Sequence, residues 1–109
     1  MESLLDRLTL VERHLARAVD AAEADSGASP VLRAVVREFQ KKAMKARDTL
    51  KSSVSAVASR EAVIEVEQAG DSANVAAAAD PGASEATRKA VDVAHKAMCL
   101  IKVEGLHSA

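Results

Sequence analysis

Ala24-Asp25-Ser26-Gly27-Ala28-Ser29-Pro30 returns nearly unchanged further along the chain as Ala79-Asp80-Pro81-Gly82-Ala83-Ser84. Five of the first six residues agree at a shift of 55, the distance from Ala24 to Ala79. Both stretches read as connections between helices. Gly27 suits a left-handed residue just past a helix end, Ser29 an N-cap, and Pro30 a first helical position. Around these two loops the rest of the chain falls into four helical segments.

Before the first loop, Leu4, Leu8, Val11, Leu15, Ala18 and Ala22 recur at alternating spacings of four and three, which places them on one face of a helix. Ser3-Leu4-Leu5-Asp6 has the form of a capping box at its start. After the loop, Leu32, Val36, Phe39, Ala43, Ala46 and Leu50 repeat the pattern. Ser52, Ser53, Ser55 and Ser59 make a weaker break with no Gly or Pro. The apolar seam loses register there, which predicts a turn. The alternative is one long central helix that forms an intermolecular bundle. A third helix is expected to run to Ala79, with Ala62, Val63, Val66, Ala69, Gly70, Ala73 and Ala77 inward. A fourth is expected to carry Ala86, Ala90, Val93, Ala97 and Leu100 inward and to stop near Gly105. Helices of about 20 residues span roughly 30 Å, a normal bundle height. The expectation is an all-α, antiparallel four-helix bundle forming one domain over residues 1–109.

The shift of 55 extends beyond the loops. It pairs Leu8 with Val63, Val11 with Val66, Glu12 with Glu67, Ala18 with Ala73, Arg33 with Arg88 and Val36 with Val91. A one-residue gap would also align Lys42-Ala43-Met44 with Lys96-Ala97-Met98. This predicts two duplicated helical hairpins, 1–53 and 54–109, with both Gly-Ala-Ser loops at one end.

Composition narrows the function. The chain has 109 residues, of which 24 are alanine; it has one Phe and no Trp or Tyr. Such a core buries little area per residue, and a partner surface is the natural complement. The net charge of −1 gives no global field for nucleic acid or membranes. Cys99 is the single cysteine, which suits a reducing compartment. No signal-like or membrane-spanning run is present in the sequence, so a cytoplasmic location is expected.

Charge is most polarised in the second helix, where Arg33, Arg37, Lys41, Lys42, Lys45, Arg47 and Lys51 face only Glu38 and Asp48. Most lie opposite the Leu32/Phe39/Leu50 seam. This is the pattern of a solvated face that also selects the acidic first and third helices as neighbours. An acidic protein partner is the next reading. Nucleic acid is not an expected partner, because stacking aromatics are missing. On the third helix, Val57, Ile64 and Val75 form a second apolar stripe opposite the alanine face, a surface for self-association.

Other candidate chemistry is sparse. Ser29 and Ser84 begin helices whose N–H groups could hold a small anion or ligand. His14 and His95 fall just outside the seams and are expected to be exposed. Cys99 is expected to be a buried, inert thiol. Glu104-Gly105-Leu106-His107 has the E-x-x-H spacing of ferritin-like di-iron bundles, but it follows the expected helix stop and has no second copy. No metal site or cofactor is expected. His14-Leu15-Ala16-Arg17-Ala18 resembles the motif of histidine phosphotransfer domains over five residues, with Arg17 for the family's Lys and Ala18 for its Gly. It also lies on the first helix rather than an inner one. That resemblance implies phosphotransfer through His14, with Arg17 beside it. The leading expectation is a non-catalytic, self-associating helical interaction or scaffold protein, dimeric through Val57, Ile64 and Val75 and presenting Arg37, Lys41 and Lys45.

Overall fold

A computed structural model describes residues 3–52 and 55–101. It contains four helices and, among the described residues, no strand: α1 (Leu4–Ala24), α2 (Pro30–Ser52), α3 (Ala56–Ala79) and α4 (Glu85–Leu100). No helix is long and apolar enough to cross a membrane among the described residues.

Every helix opens on a serine. Ser3, Ser29, Ser55 and Ser84 each accept through the side-chain oxygen the N–H three residues on, at 3.0–3.2 Å. Each thereby satisfies one of the backbone donors that a helix start leaves without an intrahelical acceptor. At Ser3 the capping box is complete, since Asp6 accepts the Ser3 N–H in return. Ser55 is extended, at φ −164° and ψ 157°, and α3 packs alongside α2. The two are therefore separate helices, not the one long helix of the alternative reading.

α1 packs on α2 and α4, and α3 packs on the same two helices. One apolar cluster joins all four, and it holds Leu8, Val11, Leu15, Leu32, Val36, Phe39, Val63, Val66, Val91 and Met98 at 0–1 % exposure. The expected seams of α1, α2 and α3 lie inward, with Leu4, Leu50 and Ala69 only partly covered.

The fourth seam is corrected. α4 buries Thr87, Val91, Ala94 and Met98, followed by Ile101, whereas Ala86 and Leu100 are exposed and Val93 is 37 % exposed. Both stripes have helical spacing, and Thr87 makes the true one look polar. The buried threonine is possible because its hydroxyl is satisfied, reaching the Asp25 carboxylate at 2.8 Å and the Ala21 carbonyl at 3.3 Å. The expected stop at Gly105 and the Glu104–His107 spacing lie outside the described residues.

The ungapped shift of 55 reproduces the buried set except at Ala62, whose counterpart Arg7 is half-buried. Leu8, Val11, Leu15, Ala18, Ala22, Ala28, Leu32, Val36, Phe39, Ala43 and Ala46 are all buried. So are Val63, Val66, Gly70, Ala73, Ala77, Ala83, Thr87, Val91, Ala94, Met98 and Ile101. The frame is shared while the volumes differ. Phe39 lies over Gly70, and the same shift leads to Ala94 and Leu15, a small residue and a large one exchanged.

Candidate functional site

At the loop end of the molecule, the two Asp-Gly-Ser connections are cross-pinned. Asp25 Oδ1 accepts the Gly27 N–H at 3.0 Å, and its Oδ2 accepts the Ser84 N–H at 2.7 Å. Asp80 mirrors it, taking the Gly82 N–H at 2.9 Å and the Ser29 N–H at 2.8 Å. Arg33 and Arg88 donate to the carbonyls of Asp25 and Asp80 at 2.7 and 2.6 Å. The Ser84 N–H, with the Thr87 hydroxyl behind it, holds the Asp25 carboxyl down at about 2. Asp80 is lowered by the Ser29 and Gly82 N–H groups.

The backbone N–H groups of Ser29 and Ser84 themselves are thus taken by the protein's own carboxylates. Gly27 is not left-handed. Its requirement is proximity, because a Cβ there would land on the Gly82 carbonyl oxygen, and one on Gly82 would land on that of Gly27.

Across α3 and α4, a different group of side chains converges. His95 Nε2 lies 2.6 Å from Asp71 Oδ1 and 3.6 Å from Cys99 Sγ. The three donor atoms all lie within 4.8 Å of one another. His95 and Cys99 are half-buried, which corrects both the exposed histidine and the buried thiol of the sequence reading. Four residues apart on α4, they share a helix face, a signal readable in the sequence. Asp71 had no such signal, because only the packing of α3 on α4 brings it there. Both partners address the same ring nitrogen. A Cys–His–Asp relay needs the acid on the other nitrogen.

The basic residues of α2 divide between two roles. Arg37 pairs with Glu23 and Arg47 with Glu12 on α1, while Lys42 pairs with Glu65 on α3 at 3.1 Å. Lys41 and Lys45 are exposed. His14, also expected to be exposed, is half-buried on α1, with Arg17 exposed on the same helix.

The apolar surface residues are more informative. Val57 and Val75 on α3 are 65 % and 67 % exposed, and Ile64 between them is half-buried. Val75 lines one shallow hollow with Ala76 and Ala79, and a second hollow that shares those two alanines is lined by Val31 and Pro81. Val31, on α2, is 68 % exposed and was not singled out by the sequence pattern. At the shift of 55 the counterparts of Val31 and Val75 are Ala86 and Asp20. Neither counterpart position carries a valine.

No family model matches the chain, and neither a curated protein nor a solved structure shows significant similarity to it.

Proposed function

We propose that this chain is a self-associating helical interaction protein, built as an antiparallel bundle of two duplicated hairpins, and that it dimerises through the Val31–Val75 strip. The observation that carries this reading is the pair of highly exposed valines, one on each of two adjoining hollows that share Ala76 and Ala79. The packed core takes all its large apolar residues from other positions. Covering a valine fully is worth roughly 1.5–3 kcal/mol, and a two-fold interface counts each contact twice. Duplication is supported by the coincident buried positions and the mirrored Asp25 and Asp80 contacts. The antiparallel order is supported by the short connections between successive packed helices.

Sedimentation equilibrium at high micromolar concentration tests the association. A dimer is expected, with Val75→Glu and Val31→Asp each shifting it towards monomer at unchanged helicity. A wild-type chain that is strictly monomeric at that concentration overturns the proposal.

A further inference from the structure

We propose that Asp71, His95 and Cys99 bind one thiophilic divalent transition-metal ion of the zinc class on the α3–α4 face. Nitrogen, sulfur and oxygen donors are the set that Zn2+ takes from proteins, and the thiolate with the imidazole selects against Mg2+ and Ca2+. With Cys99 as thiolate and Asp71 as carboxylate, the donors carry two negative charges and neutralise the ion. Zn–S near 2.3 Å and Zn–N near 2.0 Å at a tetrahedral angle set sulfur and nitrogen about 3.5 Å apart. Sγ and Nε2 already stand at 3.6 Å. The oxygen must draw back from its 2.6 Å hydrogen bond, since tetrahedral Zn–N and Zn–O bonds separate those atoms by about 3.4 Å. Asp71 has room to do so, with its side chain 55 % exposed, while His95 is held at 18 %.

Two further observations favour a ligand role. His95 and Cys99 project from one rigid helix, so two of the three ligands are set in register before the metal arrives. The shift of 55 carries Asp71, His95 and Cys99 to Ala16, Gln40 and Met44. The other half of the molecule builds the same frame without these donors, so folding does not require them. Three protein ligands leave the fourth tetrahedral position to water.

The test is titration of the reduced full chain with Co2+ alone, followed by displacement with Zn2+. One equivalent of Co2+ should produce a sulfur-to-cobalt charge-transfer band, and Zn2+ should abolish it. Cys99→Ser should remove the band, while His95→Gln and Asp71→Asn should each weaken binding by more than about tenfold. His14→Gln should leave binding unchanged. Circular dichroism on each variant separates ligand loss from unfolding. In the unaltered chain, Zn2+ should slow alkylation of Cys99. Absence of the thiolate band at one equivalent overturns the proposal, as does binding that survives both Cys99→Ser and His95→Gln.

Discussion

Asp25 accepts the backbone N–H of Ser84 at 2.7 Å across 59 residues of chain, and Asp80 returns the contact to Ser29. Each carboxylate supplies negative charge at the start of a helix in the other half of the chain, where the helix dipole favours it. The pair thus clips the α1–α2 connection to the α3–α4 connection.

Acid should open this clip. The Asp25 carboxyl drops from 3.8 to about 2 in the folded chain, first through the Ser84 N–H and next through the Thr87 hydroxyl. A carboxyl whose pKa is lower folded than unfolded contributes stability above its unfolded value and loses it as pH falls through the folded one. The contribution is therefore complete at neutral pH and lost between 3.8 and about 2. Thermal melts at descending pH should show Tm falling through that window. Asp25→Asn should begin lower and fall less steeply. Asp80→Asn should have the smaller effect, because Leu32 stands where Thr87 supports Asp25. Parallel profiles for wild type and Asp25→Asn would contradict this account.

The glycines of the clip make an opposite-to-usual prediction. Gly→Ala in a loop commonly stabilises by about 0.4–1 kcal/mol, through the unfolded chain. At Gly27 or Gly82 the new methyl meets the facing carbonyl oxygen, so each substitution should instead cost about 1–3 kcal/mol. Because both variants disrupt one contact, the double variant should cost less than their sum. Urea denaturation of the two single variants and the double variant reads this directly; a stabilised Gly27→Ala would refute the close approach.

α4 shows where sequence reading reaches and where it stops. On α1 and α2 the seams contain Leu8, Leu15, Leu32 and Phe39, large enough to mark one face against its polar opposite. α4 offers two stripes of similar spacing, and hydropathy prefers the one without Thr87. Which stripe turns inward depends on partners elsewhere, since the Thr87 hydroxyl is satisfied by Asp25 and Ala21. Asp71 was illegible beside His95 and Cys99 for the same reason: the contact is made by packing between helices. The correction has an energetic consequence. Met98→Ala, at a fully buried site, should cost about 2–5 kcal/mol. Leu100→Ala, 58 % exposed, should stay within about 0.5 kcal/mol. Comparable losses in a denaturant series would restore the original seam.

Glu12 and Arg47 meet at 2.8 Å between α1 and α2, with the Glu12 side chain only 16 % exposed. Glu12 Oε1 and Arg47 Nε are buried without hydrogen-bond partners. Burial raises the Glu12 pKa, and the opposing pull of Arg47 is the smaller influence. The ion pair therefore does not fully offset the cost of removing the carboxylate from water. Glu12→Gln, which keeps the shape and an acceptor, should leave Tm near pH 7 unchanged or raised. Arg47→Ala should lower it, because the carboxylate remains buried without its partner. A Glu12→Gln variant that melts well below wild type would show the charge to be net stabilising.

Phe39 and Gly70 give the sharpest test of how the core is matched. A Cβ on Gly70 would lie 2.9 Å from Phe39 Cζ, closer than real contacts come, and 3.3 Å from both Cε atoms, tighter than most. Helix propensity favours alanine over glycine by about 1 kcal/mol, while overpacking a filled core costs about 1–3 kcal/mol. With Phe39 fully buried and unable to swing into solvent, overpacking should prevail, and Gly70→Ala should destabilise. Phe39→Leu removes the far end of the ring. In that background the same Gly70→Ala change should become stabilising, as propensity acts without opposition. A double-mutant cycle by chemical denaturation measures the change of sign. If Gly70→Ala has the same effect with Phe39 and with Leu at that position, the ring does not account for the glycine. If the sign reverses, the Phe39 ring is what holds position 70 to glycine.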